Sequence, residues 1–188
     1  MVPVYKFAIR KDLADVTEFS FLPSRGSERA SGYDVRAAFE DRKSITVQPG
    51  EYVKIPLGLR AFCPEGWWYE VRPRSSSFAK KNLHALYGVV DEDYEGQLIF
   101  VAQYLPEFEF ETELDIVEPY YEVAGRTEAK TTLNGPNLTI NFGDAVAQIL
   151  PVKRVEMNVQ STSNEELDEL YASRNGARGT GGFGSTGK

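Results

Sequence analysis

The sequence predicts an all-β domain, and three observations lead there. Short runs rich in Val, Ile, Phe and Tyr fill the chain from its start to about residue 160. Turn-forming QPG, PLG and PEG break those runs at close spacing within SITVQPGEYVKIPLGLRAFCPEGWWYEVRPR. Only one later stretch carries a helical pattern. Short strands bounded by Gly and Pro turns at this spacing fit a barrel or a sandwich. The chain has 188 residues and is 41% hydrophobic, enough to bury one core. That core is expected over residues 1–160, with a short helix and a tail over 161–188.

Taken in order, the SITV to VRPR region supplies the first strands, and GQLIFVAQYL and DAVAQILPVKRVEM are apolar enough for buried ones. The stretch between these two differs. In EFEFETELDIVE, Phe108, Phe110, Thr112, Leu114 and Ile116 alternate with acids at period two, and LNGPNLTI offers a Gly-Pro turn and a return strand. This reads as an inserted acidic β-ribbon at about 107–141 with one half-apolar face. Seven acids and no base lie between Glu107 and Glu122. A solvated outer face accounts for that charge, and a projection that binds a regulatory protein is the sharper alternative. In STSNEELDELYASR, Ser163 followed by Glu166 is a capping-box arrangement, with Leu167, Leu170 and Tyr171 on one face of a helix of two to three turns. The glycines and small polar residues that follow have the composition of a flexible arm.

Charge and composition exclude several functions. A net charge of −7 argues against duplex nucleic acid and membrane surfaces as partners, since both need a basic face. A single cysteine, Cys63, allows no internal disulfide and lies in an apolar run as an inert buried thiol. A single histidine, His84, builds neither a histidine metal site nor a Ser–His–Asp triad with any alternative base. No apolar run approaches a membrane span and no signal-peptide pattern opens the chain, so a cytoplasmic location is expected.

The terminal GARGTGGFGSTGK raises a separate question, because Gly182 to Lys188 fit the pattern G-x-x-x-x-G-K. A working P-loop needs a strand before it, a helix after it and a hydroxyl residue after the lysine. Here a helix and a glycine-rich stretch come first, and no residue follows Lys188. The P-loop reading fails. What is left is a strip that can grip phosphate: Arg178 as a planar charged fork, glycines that let backbone amides approach, and the Ser185 and Thr186 hydroxyls. Phe183 within it can lie flat on a base. Such a strip reads as a lid that orders over a nucleotide.

Five short motifs then appear in order: SGYDVRAA (Ser31 to Ala38), RPRSSSFA (Arg72 to Ala79), GVVDEDYEGQ (Gly88 to Gln97), GDAVAQ (Gly143 to Gln148) and RGTGGFGSTG (Arg178 to Gly187). In these the chain resembles the trimeric dUTPases, over about residue 30 to its end. The resemblance implies a jelly-roll-like β-barrel with a flexible C-terminal arm, assembled as a homotrimer whose sites are shared between subunits. It implies hydrolysis of dUTP to dUMP and pyrophosphate, with Mg2+, which limits uracil in DNA and supplies dUMP for thymidylate synthesis. Asp91 is then the catalytic residue, activating the water that attacks the α-phosphorus. Tyr94 packs under the deoxyribose and leaves no room for a 2′-hydroxyl. Arg74, Ser75, Ser76 and Gln148 contact phosphates, and Asp34 holds hydrated magnesium through water. Arg178, Phe183, Gly184, Ser185 and Thr186 close over the nucleotide. Uracil is read by the backbone of a tight hairpin around Ala85, Gly88, Val89 and Val90.

The sequence also departs from the family pattern. Ala85 stands where many members carry Asn, PRSSSFA replaces the usual PRSGLA, and Ala145 stands where Arg is common. The segment between the third and fourth motifs is longer than usual and coincides with the acidic ribbon. Inserts there occur in some phage members, which suggests a phage-type protein acting in host cytoplasm. The nearest rival shares the fold: dCTP deaminase, or a bifunctional deaminase-hydrolase. Its catalytic Glu lies ten residues after the motif-three Asp, where this chain has Val101.

Overall fold

The computed structural model describes residues 2–106, 120–123, 126–129 and 135–174. Clustering of contacts gives two compact units, residues 1–154 and 155–188. In the first, among the described residues, the strands are β1 (Lys6–Ile9), β2 (Ser24–Arg25), β3 (Tyr33–Arg36), β4 (Ile45–Val47), β5 (Tyr52–Pro56), β6 (Leu59–Phe62), β7 (Trp67–Pro73), β8 (Leu83–Ala85), β9 (Gly88–Val90), β10 (Ile99–Tyr104), β11 (Tyr120–Val123), β12 (Arg126–Ala129), β13 (Leu138–Ile140) and β14 (Ala145–Lys153). The all-β expectation holds. A short helix, α1 (Ser75–Ala79), was not anticipated, since five residues carry too little periodicity to betray it.

Period-two alternation makes these strands. In β10, Phe100, Ala102 and Tyr104 are buried and the residues between them are not. Opposite them β5 buries Val53 and Ile55, with Phe100 facing Ile55 and Ala102 facing Val53 across the antiparallel ladder. Cross-strand pairs on one face share one core. That core includes Val35, Ile55, Leu57, Leu59, Leu83, Ile140 and Val146, all without solvent exposure. Each such side chain stabilises the fold by about 1.5–3 kcal/mol relative to an exposed one.

The largest sheet runs β2-β3-β14-β7-β9, with β14 central and antiparallel to both β3 and β7. A register shift between Ala145 and Ala147 places a bulge at the start of β14. Just before it, the turn Asn141–Asp144 needs Gly143 at φ +84°, where a Cβ would also meet the Phe19 ring at 2.2 Å. Phe19, Phe21 and Phe142 pack edge-on and tilted against one another beside that turn, in a satellite cluster with Leu13 and Ala38.

Within the span read as an inserted ribbon, β11 and β12 pair antiparallel as a separate two-stranded sheet. The EFEFETELDI stretch lies outside the described residues. LNGPNLTI supplies β13, and it pairs with β4, where Ile140 is fully buried in the main core.

In the second unit, α2 (Asn164–Ala172) begins at Ser163, whose side chain accepts from the Glu166 backbone N–H at 3.1 Å. Half of the expected capping box forms. The Glu166 carboxylate takes its hydrogen bond from the Thr162 hydroxyl. Among the described residues no helix is long and apolar enough to cross a membrane.

Candidate active site

Three adjacent strands bring the first, second and fourth motifs together. Gln148 on β14 lies opposite Asp34 on β3 and opposite Arg72 on β7. Directly opposed residues point to one face of a sheet, so this register aligns the three side chains. Arg74, just past the end of β7, bridges them: its Nε lies 3.0 Å from Asp34 Oδ1, and its Nη1 donates to the Ala145 carbonyl at 3.2 Å. Gln148 donates one amide N–H to the Pro73 carbonyl at 3.2 Å. Ser75 is exposed and Ser76 half-buried, and neither hydroxyl has a hydrogen-bond partner among the described residues. The second oxygen of Asp34 is likewise unbonded there. A cation, a fork and two idle hydroxyls around one strand end can receive an anionic chain.

Sequence reasoning missed what holds this cluster in place. Ser77, 1% exposed, donates to the Val146 carbonyl at 2.6 Å. Lys81 lies 2.5 Å from Asp144 Oδ2. With Arg74 they stand at i, i+3 and i+7, a helical spacing that motif matching does not weigh.

Asp91 follows β9 and opens a turn closed by the Tyr94 N–H donating to the Asp91 backbone carbonyl at 3.2 Å. The turn is pinned on its far side. Glu92 accepts from the Gly66 N–H at 2.9 Å and from Arg154 at 2.8 Å, and Arg60 donates to the Glu95 carbonyl at 2.8 Å. Asp91 itself is exposed, and its carboxylate has no hydrogen-bond or ion-pair partner among the described residues. It does not cap its own turn. Tyr94 lies over Gly96, where a Cβ would sit 2.3 Å from its phenolic oxygen, and that hydroxyl donates to the Gln97 carbonyl at 3.0 Å.

The segment expected to be a tight hairpin is not laddered on itself. Ala85 on β8 faces Ala102 on β10, whereas Gly88, Val89 and Val90 face Val71, Glu70 and Tyr69 on β7. Leu86 and Tyr87 therefore span two sheets, with the Leu86 N–H bonded to the Val101 carbonyl at 3.0 Å. The Arg72 guanidinium lies 5.4 Å from the Tyr87 ring centre, and its hydrogen bond to Glu70 holds it above its ordinary pKa.

The two halves do not meet within the chain. Val90 faces Tyr69, and β9 then runs away from Arg74. Tyr69 to Arg74 is five residues, about 17 Å at about 3.3 Å per residue, and Asp91 lies beyond that. Arg178, Phe183, Gly184, Ser185 and Thr186 fall outside the described residues. Among those described, no cluster of three His, Cys, Asp or Glu side chains could cage a metal ion. Cys63 is buried, and desolvation, with a smaller contribution from Glu92, pushes its thiol up to about 11.

A protein-family model described as dUTPase matches residues 20–113, half of the chain. The deoxyuridine 5'-triphosphate nucleotidohydrolase of Bartonella bacilliformis is 31% identical over 169 residues, covering 89% of this chain and 82% of its own. The mitochondrial enzyme of that name from Homo sapiens is 29% identical over 175 residues, covering 93% of this chain and 54% of its own. Among solved structures, a point mutant of the dUTPase of Staphylococcus bacteriophage 80alpha, with dUpNHpp, has a TM-score of 0.64 at 18% identity, over 98% of this chain and 99% of that one. The dUTPase of phage phi11 of S. aureus, described with a species-specific insert, has a TM-score of 0.60 at 18% identity, over 86% and 97%. At such identity the likeness is one of fold.

Proposed function

The chain belongs to the dUTPase family, and on that footing we propose how its own residues hydrolyse dUTP to dUMP and pyrophosphate. One observation carries the reading: the Asp91 carboxylate is exposed and unpartnered among the described residues, on a turn that Glu92, Tyr94 and Glu95 tie down. A carboxylate carried on a held turn with both oxygens idle can orient a water and take its proton. Placement supplies most of the effect, because a carboxylate is a weak base. The water attacks the α-phosphorus, the bond to the bridging oxygen breaks, and pyrophosphate leaves.

Arg74, Ser75, Ser76 and Gln148 hold the triphosphate and spread its developing charge. Tyr94, whose hydroxyl end lies against Gly96, sits beneath the deoxyribose and blocks a 2′-hydroxyl. Uracil is read by backbone groups around Ala85, Gly88, Val89 and Val90, since the side chain at Ala85 offers no hydrogen bond. Arg178, Phe183, Gly184, Ser185 and Thr186 form the closing arm. Mg2+ bound to the substrate's phosphates would neutralise their charge, and Asp34 is the residue that would hold it through a water ligand. Asp34 has one oxygen engaged by Arg74 and a second able to accept from a metal-bound water. Val101, where the deaminases carry their glutamate, is an apolar residue within β10.

A separation of about 17 Å along the β7 backbone supports a site in which Asp91 of one chain acts with Arg74 of another. A closed ring satisfies that need with identical contacts, and a homotrimer with the arm drawn from the third chain is the assembly we assign. The cytoplasm, of the host for a phage-encoded protein, is where the substrate and this chemistry meet. The test is pyrophosphate release from dUTP, dTTP, dCTP and UTP with and without Mg2+, using the chain and its Asp91→Asn variant. The variant should lose about 10²- to 10⁴-fold in kcat and still bind nucleotide. Undiminished turnover in Asp91→Asn, or a preference for UTP, overturns these assignments.

A further inference from the structure

We propose that the Lys81–Asp144 ion pair is a positioning device for the phosphate-binding residues, setting where Arg74, Ser75 and Ser76 point. The proposal rests on the reading above that these three bind the triphosphate. Three side chains along one face of α1 and its extension reach the start of β14. Arg74 donates to the Ala145 carbonyl at 3.2 Å, Ser77 to the Val146 carbonyl at 2.6 Å, and Lys81 Nζ lies 2.5 Å from Asp144 Oδ2. Successive acceptors at 144, 145 and 146 receive donors from 81, 74 and 77, so the helix is laced to three consecutive residues.

Asp144 is the only carboxylate in that lacing, and it is itself fixed. The oxygen that meets Lys81 also accepts from the Asn141 N–H at 3.2 Å. The backbone around it bonds to the end of β3, with Ala37 N–H to the Asp144 carbonyl at 2.9 Å and Gly143 N–H to the Ala37 carbonyl at 2.8 Å. Arg36 adds a bond to the Gly143 carbonyl at 2.8 Å. Lys81 is thus moored to a turn that β3 holds, the strand that also carries Asp34. Both partners are 28% exposed, enough shielding for the pair to resist screening by salt. Lys81 lies past the end of α1 and Arg74 at its beginning, so a rigid short helix transmits a shift at one end to the other.

Lys81 touches no substrate in this scheme, so the readout has to separate positioning from stability. We would measure kcat/KM for dUTP and the affinities for dUMP and for the α,β-imido analogue dUpNHpp. The variants are Lys81→Met, Asp144→Asn, their double variant and Lys81→Gln. Each single change should lower kcat/KM by about 10- to 100-fold, as a misplacement of about 1 Å does. The analogue should weaken by a similar factor while dUMP weakens by less than about threefold, because only the former uses the whole phosphate grip. The double variant should be no worse than either single one, as expected for groups acting through one contact. Lys81→Gln keeps a donor of similar reach and keeps the measurement available should Lys81→Met not fold; an intermediate loss is expected. Equal weakening of dUMP and the analogue, additive losses, or a lowered melting temperature with kcat/KM intact would overturn the proposal. Arg74→Met serves as the reference. If it too leaves dUTP turnover intact, the phosphate-site reading fails; if it cripples turnover and the Lys81 variants do not, only the positioning role fails.

Discussion

Two dead variants should restore each other when mixed. Asp91→Asn removes the carboxylate proposed to orient the water, and Arg74→Met removes the bridge between Asp34 and the Ala145 carbonyl. The register of β7 and β9 puts these positions at least about 17 Å apart in one chain. In the assembly proposed above, a complete site takes Asp91 from one subunit and Arg74 from another. If trimers reassemble at random from equal amounts of the two variants, the first donor is intact half the time, and so is the second. About one quarter of the sites then have both groups, and the mixture should reach about 25% of the unmutated activity. Neither parent alone should exceed about 1%, given losses of about 10²-fold or more for the missing carboxylate and for a missing charge-stabilising donor. Subunits carrying different affinity tags, co-refolded and captured through both, report the mixing, and pyrophosphate release reports the activity. A doubly tagged assembly no more active than its parents would refute a shared site, and with it the separation read from the strand register.

Three smaller tests probe separate parts of the structure. Gly96→Ala puts a Cβ 2.3 Å from the Tyr94 hydroxyl and 2.5 Å from its ring carbon, so the ring must lift. The ratio of kcat/KM for dUTP over UTP should fall by about tenfold or more, and an unchanged ratio would remove Tyr94 from sugar selection. Ser77→Ala strands the buried Val146 carbonyl and should cost about 1–3 kcal/mol in urea unfolding. Cys63, with its thiol pushed up to about 11, has about one thiolate in a thousand molecules at pH 8 and is buried besides. Iodoacetamide at that pH should leave the folded protein unlabelled and label it in denaturant, and labelling of the folded protein would contradict the burial.

The residues proposed for the site could be named from sequence because they sit in contiguous short runs. RPRSSSFA and GVVDEDYEGQ name Arg74, Ser75, Ser76, Asp91 and Tyr94 without any knowledge of pairing. The strand class was legible too, since alternation in IFVAQY survives in any β arrangement. What escaped depends on partners distant in the chain. Val146 lies 69 residues from Ser77, and Asp144 lies 63 from Lys81. No local pattern announces either bond. The same limit explains LNGPNLTI, which reads locally as the return arm of a ribbon although β13 completes a pair with β4, far upstream. A deletion meant to remove the acidic insert must accordingly stop before Leu138, or it takes a core strand with it. It explains the hairpin as well: Ala85 and Gly88 are three residues apart, yet β10 claims one and β7 the other.

That division has a consequence for how the enzyme is assembled. Because β8 and β9 go to different sheets, the residues between and beside them are pushed outward. Leu86, Tyr87 and Val89 are 64%, 67% and 61% exposed, a run of large apolar side chains immediately before Asp91. Exposed apolar runs of this kind mark surfaces that another chain covers. Here the cover and the missing chemistry come from the same source. In the proposed assembly, a neighbour that brings Arg74, Ser75 and Ser76 to Asp91 would cover this run and take it out of water. In the proposed assembly, hydrophobic association and completion of the site are one event, so diluting the enzyme below its assembly concentration should abolish turnover without unfolding the barrel.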